Sequence, residues 1–326
     1  MYTRTKWLSA LVAMLLIVAA CGNDDEPISG DASGGDGDEE LSGTVRVDGS
    51  STVGPLSEVA AEMFMNATPG VRVDVAISGT SGGFQKFCSG ENDMNNASRP
   101  IKDEEVELCD ENGITVEGIR VSNDALALLV NNENPVECLT VEQATQIWDD
   151  GSTVDTWGDI DGLDIPADMA GEALTLYGPG TDSGTFDFFT EEINGESGRI
   201  RNDYVDIGED DAAAVTAVQG DVYAMGYVPY SYFQEAGDSV KPLQIDGGEG
   251  CVEATIENVA NGSYTPLGRP LFTYANNQAI QRPEVLAFME FHIEEAEDIA
   301  VTAGYVPLTE DQKAEELAKI QALLGN

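Results

Sequence analysis

Gly178-Pro-Gly-Thr-Asp-Ser-Gly-Thr185 sets three hydroxyls and one carboxylate among glycines, then opens directly into Phe186-Asp-Phe-Phe-Thr-Glu-Glu-Ile193. Phe186, Phe189 and Ile193 recur at helical spacing, so the stretch reads as a turn feeding an amphipathic helix. Ser183 or Thr185 is placed to act as N-cap. A loop of this kind presents free backbone N–H groups, the positive end of a helix dipole and hydroxyl donors. Its chemistry is the holding of an anion, with no bond made or broken. One such loop is a weak signal, and the first third of the chain supplies two more.

The first follows Thr44-Val-Arg-Val-Asp48, an alternating strand. Gly49-Ser-Ser-Thr-Val-Gly-Pro55 then precedes Leu56 to Phe64, where Leu56, Val59, Ala60, Met63 and Phe64 share one helical face. The second follows the alternating strand Val71-Arg-Val-Asp-Val-Ala-Ile77. There Ser78-Gly-Thr-Ser-Gly-Gly83 precedes Phe84-Gln-Lys-Phe-Cys88. Beyond it, Asn96-Ala-Ser-Arg-Pro-Ile101 carries Arg99, one of few cations, beside a proline that fixes the turn.

The elements that must carry these loops alternate along the chain. Ser122 to Val130 is a long apolar strand of the kind buried on both faces. Leu139 to Trp148 is a helix with Thr140 as N-cap and Gln143 in the capping-box position. Leu174–Tyr177 feeds the Gly178 loop, 210–218 is a helix, Ala224–Val228 a buried strand and Arg269–Tyr274 strand-like. Pro283 to Phe291 is a helix with proline in its first turn, and a Glu/Lys/Leu-rich helix ends the chain. Such alternation predicts an α/β protein with mainly parallel sheets.

The 326 residues suffice for two lobes around sizeable cores. Fifteen basic residues stand against 60 acidic ones, a formal charge of −45. That balance excludes nucleic acid as a partner, because phosphate backbones need a basic face. It also excludes electrostatic docking on anionic lipid. The plain reading of the charge is a heavily solvated surface, suited to a salty habitat that screens self-repulsion. Any anion site must then rely on local donors strong enough to overcome the field of the whole chain.

Residues 1–20 read as a signal peptide, with Arg4 and Lys6 ahead of the apolar run Trp7–Ala20. The run is too short for a comfortable span, and Val18-Ala-Ala-Cys21 resembles a bacterial lipobox, which implies cleavage before Cys21 and lipidation of its thiol. The alternative is an ordinary signal peptide with a chance cysteine. Residues 21–42 are Gly, Ser, Asp and Glu with almost nothing apolar, a disordered acidic tether.

Cys88, Cys109, Cys138 and Cys251 remain, an even number in an exported chain, which suggests two disulfides. Three pairings are open. Cys88 and Cys109 flank one short helix–loop segment, favouring Cys88–Cys109 with Cys138–Cys251, each bridge contributing ~3 kcal/mol. A metal centre is the weaker reading, because there is no CxxC and a single histidine. That histidine, His292, reads as a surface or packing residue, and Trp148 and Trp157 read as core packing. No GxSxG elbow, Ser-His-Asp set or metal motif is present to activate a nucleophile or water, so the chain reads as a non-enzyme with no cofactor.

Four motifs in order, Asp48-Gly-Ser-Ser-Thr-Val53, Ser78-Gly-Thr-Ser-Gly-Gly83, Asn96-Ala-Ser-Arg-Pro-Ile101 and Gly178-Pro-Gly-Thr-Asp-Ser-Gly-Thr-Phe186, resemble the ligand loops of PstS-type phosphate-binding proteins. These are the capture components of phosphate ABC transporters, and the chain looks most like their SphX-like branch. The resemblance spans residues 43–320. It implies the type II two-lobed periplasmic-binding-protein fold, with the ligand in the cleft and two hinge crossings near Arg120–Asn123 and Gly268–Leu271. Lobe I would hold residues 43–121 and 270–326, and lobe II residues 122–269. The implied partners are inorganic phosphate, a membrane ABC permease and, through the lipid anchor, the cell membrane on its extracytoplasmic side, periplasmic or cell-surface. The implied state is a monomer that captures phosphate and hands it on.

Carried over by motif, the ligand set is Ser51, Thr52 and Val53, then Thr80 and Ser81, then Ser183, Gly184 and Thr185. Two positions depart from the best-known members. The acid that follows their Ala-Ser is Arg99 here, and the arginine that precedes their Ser-Gly-Thr is replaced by Pro179-Gly180. The expectation is that Arg99 supplies a cationic clamp, and that Asp182, or less well Asp48, accepts the proton distinguishing phosphate from sulfate. The competing readings are an Arg99 salt bridge to one of the many acids and an Asp182 that merely caps its turn. The rival functions are a receptor for another tetrahedral oxyanion such as sulfate, a phosphatase-like phosphoesterase, and a surface lipoprotein that binds no small anion.

Overall fold

The computed structural model describes residues 41–324 apart from Asp182 and Glu209. The signal peptide, Cys21 and nearly all of the tether lie outside the described residues.

The chain first builds β1 (Gly43–Gly49), α1 (Gly54–Ala67), β2 (Val71–Val75), α2 (Thr80–Cys88), β3 (Met94–Ala97) and α3 (Asp103–Glu111). The long strand β4 (Val116–Val130) then leads into β5 (Cys138–Thr140), α4 (Val141–Trp148), β6 (Thr175–Gly178), α5 (Gly184–Asn194), β7 (Val205–Asp206) and α6 (Asp211–Gly220). There follow β8 (Ala224–Pro229), α7 (Tyr230–Ala236), β9 (Lys241–Pro242), β10 (Gln244–Asp246), β11 (Cys251–Val252) and α8 (Ile256–Ala260). β12 (Gly268–Asn276) returns the chain, and α9 (Pro283–Glu294), α10 (Ala296–Ala303) and α11 (Glu310–Leu324) close it.

Among the described residues, two large hydrophobic cores form beside two smaller clusters. One gathers Val45, Val47, Leu56, Phe64, Phe288 and Ile299 from the chain's two ends. The other gathers Leu128, Trp148, Trp157, Phe189, Tyr227 and Tyr264 from the middle. Each such side chain contributes about 1.5–3 kcal/mol by leaving water. Trp148 and Trp157 are fully buried, as core residues should be.

One sheet runs in the order β2-β1-β3-β12-β4-β8-β6-β7, with β9 also on β4. β1, β2 and β3 are parallel, as are β6, β7 and β8. The expectation of mainly parallel sheets needs correcting at the centre. β4 runs antiparallel to both β12 and β8, and β12 antiparallel to β3. The reason is that β4 and β12 carry the chain out and back, and each pairs with the strands it passes. β4 spends Val116–Ala125 on β12 and Leu126–Val130 on β8, so a single strand belongs to both halves. The β4–β12 register slips between Leu271 and Phe272, opposite Val121, and such a bulge bends a strand locally. A third segment joins them there, since Asn123 and Val306 exchange backbone hydrogen bonds of 2.9 Å.

The start of the Gly178 loop is fixed from below. Tyr227 stacks on Phe189 with centroids 3.8 Å apart and meets Trp148 edge-on at 5.1 Å. A Cβ on Gly178 would lie 2.5 Å from the Tyr227 ring, so only glycine lets β6 end against it.

Both disulfides form, Cys88–Cys109 and Cys138–Cys251. The second spans 113 residues and joins β5 to β11 at the two edges of a small three-stranded sheet. Loop closure on that scale contributes about 5 kcal/mol. Cys138→Ser/Cys251→Ser is therefore expected to lower the urea midpoint clearly, and an unchanged midpoint contradicts this.

Candidate functional site

The three anion loops meet at one hollow. In the first, β1 ends at Gly49 and α1 begins at Gly54, with Val53 at the N-cap and no side chain capping the helix. Ser50 N donates to Asn96 O at 2.9 Å and Gly54 N to Ser50 O at 3.0 Å, which closes the turn. Val53 itself is fully buried.

The second loop is tied to the first. Ser78 N and Gly79 N both donate to Gly49 O, at 3.1 and 2.9 Å. Asp48 completes the tie: Oδ1 accepts from Gly49 N at 2.7 Å and Ser78 Oγ at 2.8 Å, and Oδ2 from Lys86 Nζ at 2.5 Å. Burial acts to raise the Asp48 carboxyl, but the bonds from Lys86, Ser78 and Gly49 outweigh it and hold it below its usual range. Both oxygens are engaged, so Asp48 ties the first two loops together. Thr80 opens α2, and its Oγ1 lies 3.3 Å from Ser98 Oγ.

In the third loop Ser183 is the N-cap of α5, accepting from Thr185 N at 3.2 Å, so Ser183 and not Thr185 takes that role. Gly180 N donates to Gly208 O at 2.9 Å and Tyr204 Oη to Pro179 O at 3.1 Å, anchoring the turn on its own half. Asp182 lies outside the described residues.

Ser51 and Thr52, Gly79 and Thr80, and Gly184 line one hollow of about 190 Å³ together with Arg269. A wider hollow of about 630 Å³ shares Ser51, Thr52 and Gly184 and adds Ser183, Thr185 and Asp124. The smaller one is the better candidate for a compact anion, because all three loops reach it. The structure thus brings Ser51, Thr52, Thr80, Ser183, Gly184 and Thr185 to the cleft, with Val53 behind them.

Arg99 stands elsewhere. Its Nη1 and Nη2 donate to the two oxygens of Glu105 at 2.9 and 2.8 Å, and further to Pro100 O at 3.0 Å and Ser81 Oγ at 2.8 Å. The salt-bridge alternative is the one observed, and the reason is local. Glu105 sits in the first turn of α3, where it also caps Lys102 N at 3.0 Å, six residues from Arg99. Arg99 lines neither hollow, and with it Ser81 is turned toward the guanidinium.

Sequence reasoning missed Arg269. Among the described residues it is the only basic side chain lining either hollow, and it lines the smaller one. Its Nε and Nη2 donate to Asp124 Oδ2 at 3.2 and 3.1 Å, and Nη2 to Thr52 Oγ1 at 3.4 Å. Its guanidinium carbon lies 3.6 Å from the centroid of Phe188, in the second turn of α5. Burial pushes the Asp124 carboxyl up even though Arg269 pulls it down. Tyr305 donates to Thr52 O at 2.6 Å, and burial raises its phenol, so it stays a neutral donor. The signal available in the sequence was Arg269's rarity as a cation, but only the β4–β12 pairing brings it to Asp124. Among the described residues no cluster could hold a metal ion.

Two α/β halves joined through the long strand β4 and its partner β12, with helix N-termini converging between them, define a solute receptor of the periplasmic-binding-protein class. The chain matches the PBP superfamily domain over residues 34–296. It is 39% identical over 267 residues to Protein SphX of Synechococcus elongatus, covering 81% of this chain and 77% of that one. It is 34% identical over 313 residues to the phosphate-binding protein PstS of Staphylococcus saprophyticus, covering 95% and 92%. The crystal structure of a possible phosphate binding protein from Planctomyces limnophilus superposes with TM-score 0.79 at 37% identity, over 87% of this chain and 99% of that one. The chain therefore belongs to the PstS/SphX family of substrate-binding proteins within the PBP superfamily.

Proposed function

We propose that this chain is an extracytoplasmic receptor that captures inorganic phosphate and delivers it to a membrane ABC permease. The observation that carries the reading is the convergence of three hydroxyl-rich loops, each at a helix start, on one hollow. Backbone N–H groups, hydroxyls and helix dipoles hold a compact oxyanion without any chemistry being done on it. The names of its relatives, SphX and phosphate-binding protein PstS, support phosphate as that anion.

The finer points belong to the same proposal. Ser51, Thr52, Val53 and Thr80 act from one lobe and Ser183, Gly184 and Thr185 from the other, with 43–121 plus 270–326 as lobe I and 122–269 as lobe II. Closure about β4 and β12 draws its energy from a ligand bridging both. Asp182 is the acceptor for the ligand's proton, and Ser81 contributes once Arg99 positions it. The chain acts as a monomer, tethered through a lipid on Cys21 to the extracytoplasmic side of the cell membrane, periplasmic or cell-surface. No helix among the described residues is long and apolar enough to cross a membrane.

Deleting one donor from each half tests the bridging. A hydrogen bond to a charged group contributes about 1.5–3 kcal/mol, so Ser51→Ala and Thr185→Val are each expected to weaken phosphate binding roughly 10- to 100-fold by titration calorimetry. Loss confined to one half contradicts a bridging ligand. Hydrolysis of a chromogenic phosphate ester, lost on Ser183→Ala, would move the chain to the phosphoesterase class.

A further inference from the structure

Arg269 lies where three parts of the molecule meet. Its own strand, β12, runs beside β4, the strand that belongs to both halves. One edge of the guanidinium is held by Asp124, on β4, and reaches Thr52 of the first loop. Its flat face lies on Phe188, in the helix that starts at the Gly184 loop. Nε and Nη2 are thereby occupied, while Nη1 donates to no described residue, and Arg269 lines the hollow where the loops converge. The side chains of Arg269 and Asp124 are only 14% and 11% exposed, so their interaction is little screened by water. A cation fixed by a carboxylate and an aromatic face, with donors left over, is pre-organised to bind an anion.

We infer that Arg269 is the cationic ligand contact of this cleft and that it couples lobe closure to the anion, the part the sequence had suggested for Arg99. The inference rests on the receptor reading. Nη1 donates to the bound oxyanion. Asp124 orients the guanidinium and keeps its charge from being spent on other acids of a very acidic chain. Phe188 makes the guanidinium's position follow α5, so that the loop on that helix and the cation reach the anion together. Lysine at 269 keeps the charge but loses the fork and the flat face.

The test is calorimetric titration of phosphate, arsenate and sulfate into the full chain and its variants, with small-angle scattering to read closure. Arg269→Gln is expected to weaken binding of whichever oxyanion the parent takes by about 100-fold, and Arg269→Lys by about tenfold. Phe188→Leu, which leaves the charge in place, is expected to weaken binding about threefold to tenfold and to reduce the anion-induced contraction. Arg72→Gln removes an equal charge from the exposed face of β2 and should change nothing. If Arg269→Gln does not fold, because Asp124 is left buried without its partner, Arg269→Gln/Asp124→Asn is compared with Asp124→Asn alone. A double variant binding within threefold of that single variant overturns the inference and leaves the receptor reading standing. A parent that takes none of the three oxyanions overturns both.

Discussion

Gly49→Ala is expected to cost more than about 3 kcal/mol of folding stability and to abolish tight anion binding. Gly49 has φ +134°, and a Cβ there would lie 2.2 Å from the backbone oxygen of Asn96. That oxygen cannot move aside, because β3 lies in the sheet between β1 and β12. The damage would also spread. Gly49 O receives Ser78 N and Gly79 N, and Gly49 N donates to Asp48, so the residue that ends β1 holds the second loop as well as the first. Urea unfolding and phosphate titration of the same variant check the two halves of this expectation. A loss below about 1 kcal/mol with binding intact would show that the loops are not locked together through Gly49.

The second large effect is set by acid. His292 is fully buried on α9, its ring centroid 6.1 Å from that of Phe288, and neither nitrogen has a hydrogen-bond partner among the described residues. Burial pushes its imidazole from 6.5 down to about 4. The folded state thus refuses a proton that the unfolded state takes. The contribution to stability is complete above pH 6.5, falls as the pH drops, and is gone once the pH passes below about 4. Its size is about 3 kcal/mol, from 1.36 kcal/mol per unit. Carboxylates titrate over the same range, so the clean observable is a difference. Parent minus His292→Leu, followed by urea unfolding from pH 7 to pH 4, should isolate that loss. Parallel curves would mean that the ring finds a partner for its proton.

Much of the cleft was legible because it is local. Glycine and hydroxyl residues between an alternating strand and an amphipathic helix specify a loop ending at a helix start, and Ser51–Val53, Thr80 and Ser183–Thr185 all lie in such loops. Thr140 with Gln143 was readable as a capping box for the same reason, and it forms with bonds of 3.0 and 3.1 Å. What the sequence hid is what depends on pairing. Arg269 and Asp124 are 145 positions apart and meet only because β4 runs antiparallel to β12. The same crossing strands made the sheet mixed where alternation implied parallel. Arg99 misled for a different reason: its motif placed it beside the loops, but Glu105, one helical start away, offers both carboxylate oxygens at closer range than the cleft. His292 read as a surface or a packing residue, and packing is the outcome, because the face of α9 that carries Val285, Phe288 and Met289 also carries the ring inward.

Asp182 remains the residue proposed to separate phosphate from sulfate. An acceptor carboxylate welcomes a protonated oxyanion and is left unpaired against an unprotonated one. Asp182→Asn is expected to narrow the preference by about tenfold or more, and a variant that still rejects sulfate as the parent does would move that role to another acid.

Competition calorimetry on the full chain, with phosphate titrated into protein already equilibrated with excess sulfate, tests the receptor assignment most directly. The expected result is tight, near-stoichiometric phosphate uptake that sulfate barely weakens. Tight binding of sulfate that phosphate cannot displace would contradict it.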